Sequence, residues 1–282
     1  MVALPVIKCH AAGNDFVLLD NLQSVPYDYP SLARFLCRRR FGIGADGLLV
    51  ALPASDAQTD VGLRIFNADG SEADMCGNGI RCLAKYVMSG TTYSSATLRV
   101  ATKSGTVRCE TIEAHGSPSI RVAMGVPCFA ADGSGQAGGA TRRLRRVRVG
   151  NAHCVVFTGS EVATFDLRGL ARDVNAGARL GEEANVEIFR VVRGAIELRI
   201  WERGVGETMA CGTGACAAAA CAIEQDLVRS PVSVAMPGGR VDVAWKGVGS
   251  EIFLTGDAQI VFGTIIDIPE NTARAEAPVA AG

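Results

Sequence analysis

The sequence predicts an α+β protein of two similar halves, each a mostly antiparallel β-sheet or barrel around one central helix. Two observations predict it. Residues 64–88 and 199–223 carry one pattern twice: Arg-Ile-aromatic, a Glu, then Cys-Gly-x-Gly leading into a run rich in small and apolar residues. In each copy the triplet begins 12 residues before the cysteine (Arg64 before Cys76, Arg199 before Cys211), and Glu72 or Glu207 stands four residues before it. Other segments recur at nearly the same spacing. The offset is 137 at Asn14 and Asn151, 135 at Arg64 and Arg199, 134 at Val100 and Val234, and 131 at Gly125 and Gly256. Small loop deletions in a duplicated unit leave such a drift.

The elements follow in order. Residues 4–20 are two β-rich pieces about the small-residue turn Ala11-Ala12-Gly13-Asn14, a hairpin or a strand pair. Apolar spacing predicts a helix over 30–40, closed by Gly42-Ile43-Gly44. Strands are expected at 48–52 and 61–67. After Cys76, the residues Ile80, Leu83, Ala84, Val87 and Met88 recur at helical spacing, and the helix stops before Gly90. Strands at 96–102, 106–112 and 119–124 come next, with Lys103-Ser104-Gly105 as a turn. Residues 127–141, rich in Gly, Ser and Asp, read as a linker or a long surface loop. The arginines at 142, 143, 145, 146 and 148 read as a solvated edge strand rather than an anion site. The first half, 1–126, and the second, 127–259, then match in outline. A strand near 260–268 is left over and is expected to return to the first half. Residues 270–282 are expected to be disordered.

Composition narrows the function. A chain of 282 residues, 48 % apolar and 20 % charged, is globular with a substantial core. Its net charge of −1 gives no polyelectrolyte surface, so neither nucleic acid nor an anionic membrane is the expected partner. No apolar run approaches the ~20 residues of a membrane helix. Residues 1–10 lack the long apolar core of a signal peptide, so a cytoplasmic location is expected. The ten cysteines include no Cys-x-x-Cys pair, and the three histidines, His10, His115 and His153, are scattered, so no metal site is expected. Cys37, Cys82, Cys109, Cys128, Cys216 and Cys221 read as small buried apolar residues.

The repeated motif carries chemistry. A Gly-x-Gly turn entering a helix leaves backbone N–H groups unpaired, and with the helix dipole they favour an anion. A cysteine at that helix start is expected to ionise more readily than a free thiol. Two such thiols suit proton transfer on both faces of one carbon, one removing the Cα proton and the other delivering a proton opposite. No lysine context suggests pyridoxal phosphate, and no Gly-x-Gly-x-x-Gly follows a strand, so no cofactor is expected.

Asn14-Asp15-Phe16, Phe66-Asn67-Ala68-Asp69-Gly70-Ser71, Cys76-Gly77-Asn78-Gly79, Glu202-Arg203-Gly204, Gly206-Glu207-Thr208 and Ala210-Cys211-Gly212-Thr213-Gly214-Ala215 resemble the diaminopimelate epimerase family over about residues 5–267. The resemblance implies a pseudo-symmetric two-domain fold, a homodimer, and an active site between domains. It also implies cofactor-independent interconversion of LL- and meso-diaminopimelate for lysine and peptidoglycan synthesis. It makes Cys76 and Cys211 the acid/base pair. Asn14, Gly77, Asn78, Gly212 and Thr213 become ligands of the reacting amino-carboxylate, and Asn67, Asn151, Asn185 and Arg203 ligands of the distal end. His153 and Glu202 would tune the thiols, with Glu202 also touching the substrate amine. Gly47 departs from members that carry a polar ligand there, and Ala152 from a common Pro.

Three rival readings fit the sequence less well. A racemase of another amino acid in the same superfamily would not need the distal set Asn67, Asn151, Asn185 and Arg203. A thiol redox or metal protein needs closer cysteine spacing. A non-catalytic binding paralogue has no use for both cysteines.

Overall fold

The structure, a computed structural model, describes residues 1–90, 93–114, 116–137, 139–159, 161–176 and 183–273. They form two compact units: Met1–Thr111 with the segment from Ala258 onward, and Ile112–Asp257.

The first unit begins with β1 (Val2–Ala11), β2 (Asn14–Asp20), α1 (Tyr29–Leu36), β3 (Gly47–Leu52), β4 (Val61–Asn67), β5 (Glu72–Ala73), α2 (Gly77–Met88), β6 (Thr97–Thr102) and β7 (Gly105–Ala114). Its strands line up β1-β2-β3-β4-β6-β7, with β5 a hairpin on β4. Only β2–β3 and β4–β6 are parallel. Both faces of the centre are covered. Val17, Leu19, Leu48 and Val50 pack against Leu32, Ala33 and Leu36 of α1. Leu49, next along β3, turns to α2, where its Cδ2 is 2.8 Å from where a Cβ on Gly79 would stand. α2 touches β1, β2, β3, β4 and β6, so the sheet wraps it.

α1 is shorter than its apolar spacing suggests. Asp28 caps its start by accepting from the Ser31 N–H at 3.1 Å. At the other end the Leu36 carbonyl accepts from Ile43 at 2.9 Å and Gly44 at 3.0 Å. Gly44, at φ +78°, lets the chain turn back so that both N–H groups reach that carbonyl.

The second unit repeats the plan. It holds β8 (Ser117–Ala123), β9 (Cys128–Ala137), β10 (Ala140–Val149), β11 (Asn151–Phe157), α3 (Leu167–Asn175), β12 (Asn185–Val192), β13 (Ala195–Glu202), β14 (Gly206–Thr208), α4 (Gly212–Glu224), β15 (Val232–Met236), β16 (Gly239–Trp245) and β17 (Ile252–Gly256). The order is β9-β10-β11-β12-β13-β15-β16-β17-β8, with β14 on β13. The parallel pairs, β11–β12 and β13–β15, fall where they do in the first unit. Every residue of 212–222 in α4 is buried, which explains its alanines: a helix enclosed on all sides has room for small side chains only.

The duplicated Arg and Glu hold matching hairpins. Arg64 grips Glu72 through Nε at 2.7 Å and Nη2 at 3.0 Å. Arg199 grips Glu207 at the same two distances. Each is a bidentate fork that fixes the turn leading to the cysteine.

Strand exchange moves the boundary expected at 126. The echoing segments 120–125 and 252–256 pair with each other, β8 against β17, and β9 pairs with β10, so the division falls between Thr111 and Ile112. The last strand, β18 (Gln259–Ile268), pairs antiparallel with β1 in the first unit. Of the tail expected to be disordered, Glu270–Ala273 form the short helix α5, and 274–282 lie outside the described residues.

Residues 127–141 are not a loop but most of the β9–β10 hairpin. Of their small residues, Gly135 has a packing cause: a Cβ there would meet Leu170 at 3.1 Å and Val174 at 3.3 Å of α3, which lies directly on β9. The arginine cluster is therefore on an inner strand, not an edge. Arg143 and Arg145 both pair with Asp132 across the hairpin, and Arg145 also reaches Glu224 of α4 at 2.9 Å.

Candidate active site

Each motif cysteine stands at the N-cap position of a helix. Cys76, with extended backbone (φ −144°, ψ 111°), precedes α2, and its Sγ accepts from the Gly79 N–H at 3.4 Å. Asn14, at the start of β2, brings its Oδ1 within 3.0 Å of Asn78 Nδ2 and 3.8 Å of the sulfur. Asn14, Cys76, Gly77 and Asn78 thus come together. Asn14 is held from behind, since its Nδ2 donates to Asp46 at 2.8 Å and Asp46 accepts from Arg39 at 2.7 Å. Beside it, Asp15 is gripped by Arg39 and Lys8; burial alone would raise its carboxyl, but those bonds prevail and hold its pKa at about 2. Arg81, wholly buried on α2, donates to Asn78 Oδ1 at 2.8 Å. Asn67 is exposed at the end of β4, and its hydrogen bonds stay within the 67–71 turn. At Gly47 a Cβ would sit 2.6 Å from the Phe66 carbonyl oxygen, so the sheet itself excludes a side chain there.

In the second unit, Cys211 (φ −134°, ψ 120°) stands at the N-cap position of α4, and its Sγ lies 3.3 Å from Thr213 Oγ1. Gly212 and Thr213 are both buried. His153, on β11, is wholly buried with Nδ1 2.6 Å from Glu187 Oε1. Asn185 stands beside His153 in the parallel register, and its Oδ1 accepts from the Arg203 N–H at 2.9 Å. Glu202 accepts from Thr208 at 2.7 Å. The Arg203 fork is exposed, reaching the Glu183 carbonyl at 3.5 Å, and among the described residues no carboxylate pairs with it. Asn151 is exposed at the start of β11, opposite Val149.

The sequence matches the family described as "Diaminopimelate epimerase" over residues 6–130 and 146–261. The chain belongs to the diaminopimelate epimerase family. A diaminopimelate epimerase of Moorella thermoacetica is 40 % identical over 91 % of this chain and 96 % of its own length. One from Halothermothrix orenii is 35 % identical over 95 % of this chain and 99 % of its own. A solved phenazine biosynthesis protein of Bacillus anthracis, of the PhzF family, shares the fold at TM-score 0.70 and 17 % identity, covering 95 % of this chain and 100 % of that one.

This diaminopimelate epimerase family member departs from its sequence-based reading in three ways. The Cys211 thiol is not acidified. Burial pushes its pKa well up, Glu202 and Glu187 add to that, and the Thr213 hydroxyl and Gly214 N–H only partly offset it. Cys211 therefore keeps its proton at neutral pH in the ligand-free protein. Cys128, expected inside, is exposed at the start of β9, whereas Cys37, Cys82, Cys109, Cys216 and Cys221 are buried. Finally, Glu187, Asp46 and Arg81 support the candidate residues yet were not among the residues singled out in the sequence. Among the described residues no three His, Cys, Asp or Glu side chains group as a metal site, and no helix is long and apolar enough to cross a membrane.

Proposed function

We propose that this protein interconverts LL- and meso-2,6-diaminopimelate by moving a proton at one Cα, with Cys76 and Cys211 as the two acid/base groups and no cofactor. The observation that carries this reading is the pair of cysteines, each at the N-cap position of a buried helix start in a chain of this family. A thiolate takes the Cα proton, the carbanion is stabilised by helix-start N–H groups on its carboxylate, and the other thiol returns a proton on the opposite face. Asn14, Gly77, Asn78, Gly212 and Thr213 hold the reacting end. Asn67, Asn151, Asn185 and Arg203 hold the distal end. His153 and Glu202 adjust the thiols, with Glu202 also meeting the substrate amine.

The test is LL-diaminopimelate in heavy water with metal-free enzyme. The expected result is meso product carrying Cα deuterium while recovered substrate stays protonated early in the reaction, the mark of two separate bases. Absence of interconversion, or activity abolished by exhaustive chelation and restored by metal, overturns the reading.

The enzyme is further proposed to work in the cytoplasm as a homodimer. β18 supports the dimer. It pairs on one side with β1, and Ile260, Val261, Phe262 and Ile265 along it are exposed, an apolar edge suited to a second copy. Sedimentation at twice the 29.4 kDa chain mass is expected, and a monomer at micromolar concentration refutes it.

A further inference from the structure

The two units are alike in backbone and unlike under their cysteines. In the first, Phe16 pairs with Gly47 across the parallel β2–β3 ladder; in the second, His153 pairs with Asn185 across β11–β12. Two residues further along the second strand of each pair come Leu49 and Glu187. Leu49 Cδ2 lies 2.8 Å from where a Cβ on Gly79 would stand, and Glu187 Oε1 lies 2.9 Å from the same point on Gly214. So Leu49 and Glu187 occupy one duplicated position, pressed against the first turn of the central helix. Below Cys76 the pair at these positions is Phe16 and Leu49, both apolar. Below Cys211 it is His153 and Glu187, both wholly buried and 2.6 Å apart.

A buried acid is costly unless its environment uses it. Glu187 meets His153 through one oxygen only. Among the described residues its Oε2 and the His153 Nε2 have no hydrogen-bond partner, although both are buried. The pair therefore meets along the Nδ1–Oε1 line and keeps an open polar atom at each end. Facing it are Glu202 from β13 and Cys211 and Cys221 from α4, and beside Cys221 stands Arg145 from β10, which is tied to Asp132 and Glu224.

We propose that Glu187 is a positioning residue for proton transfer at Cys211: it fixes the His153 ring and its proton through Nδ1, and so gives the Cys211 half a buried hydrogen-bonded pair where the Cys76 half has hydrocarbon. The inference rests on reading the two cysteines as the acid/base pair, and it goes beyond the motif residues by assigning the asymmetry between them. Glu187 touches the turn that carries Cys211, while His153 presents the ring; removing the carboxyl frees the ring to change tautomer and tilt. The effect should be local to one thiol.

The test alkylates substrate-free enzyme with iodoacetamide across pH and reads the Cys76 and Cys211 peptides separately by mass spectrometry. Glu187→Gln keeps the volume and removes the ionisable group. The expected result is a shift of the Cys211 profile to lower pH, because the carboxyl group that lies against the turn carrying Cys211 and disfavours its thiolate is gone. Cys76 should titrate as in wild type. With diaminopimelate, kcat should change about tenfold while KM holds. If both profiles overlay wild type, Glu187 does not act on Cys211; if both shift together, the effect is a general loosening. Either outcome overturns the proposal. Should Glu187→Gln fail to fold, the double variant His153→Phe/Glu187→Leu, which installs the pair of the first unit, is judged by the same two profiles. Because the alkylation needs no substrate, a wild-type enzyme inactive on diaminopimelate would sink the functional reading and leave this result standing.

Discussion

Cys76→Ser and Cys211→Ser should each lower epimerisation of diaminopimelate by about 10²–10⁴-fold, the usual contribution of one general acid or base. Serine keeps the shape of the helix cap, and its hydroxyl can still accept from the Gly79 N–H that Cys76 now holds at 3.4 Å. What it lacks is a proton that leaves near neutral pH. In the proposed two-base mechanism, inversion at Cα needs both groups in every turnover, one as base and one as acid, and they swap roles when the direction reverses. Losing either therefore stops both directions. Abstraction alone needs only one thiolate. A 3-halogenated analogue uncouples it: the thiolate takes the Cα proton, the electron pair forms the Cα–Cβ double bond, and halide leaves from Cβ. Each variant should release halide from the stereoisomer whose Cα–H faces its surviving cysteine, so the two variants should prefer opposite isomers. A common preference, or wild-type epimerisation by either, removes the two-base assignment.

The resting states of the two thiols also bear on this test. Burial and two nearby carboxylates keep Cys211 protonated. Helix-start logic predicts the reverse, and it fails for a physical reason. The N–H groups and dipole of α4 do favour the anion, but the whole turn is enclosed. Removing a thiolate from water there costs more than the helix start returns. A sequence shows the cap and not the enclosure.

The same limit separates what was legible from what was not. The Cys-Gly-x-Gly starts and the central helices are local patterns, and local patterns survive into the structure; the repeated Arg and Glu were legible as residues, and their pairing is seen only in the fold. Glu187 was invisible because Asn185-Val186-Glu187-Ile188 alternates like a strand with one wet face. In the folded unit both faces are covered, Val186 and Ile188 by α3 and Glu187 by the start of α4. Arg81 is likewise wholly buried, on a helix that the sheet encloses. In β9, Asp132-Gly133-Ser134-Gly135 has turn composition, yet Gly135 makes space for Leu170 and Val174 of α3. The boundary near 126 followed from the linker-like composition of 127–141, and hydrogen-bonding partners rather than composition decide to which unit β8 and β18 belong.

Arg203→Ala should weaken diaminopimelate binding by about 2–5 kcal/mol, the cost of truncating one partner of a charge pair that becomes desolvated. That is roughly 30-fold to several thousand-fold in affinity. In the ligand-free protein the Arg203 fork is exposed, and no described carboxylate holds it, while its own backbone N–H is anchored on Asn185 at 2.9 Å. The backbone is fixed and the planar head is available, which suits a group that must grip a carboxylate arriving with the substrate. Arg203→Lys should fall at the lower end of the range, since the charge remains and the two-pronged geometry is lost. The distal end does not change during reaction, so the loss should appear mainly in KM rather than in kcat. A control isolates the contact: a 2-amino acid lacking the distal amino-carboxylate should bind wild type weakly and be little affected by Arg203→Ala. If Arg203→Ala binds diaminopimelate as well as wild type, or if it weakens the truncated amino acid by the same factor, Arg203 does not read the distal carboxylate, and the choice of diaminopimelate over shorter amino acids must lie with Asn67, Asn151 and Asn185.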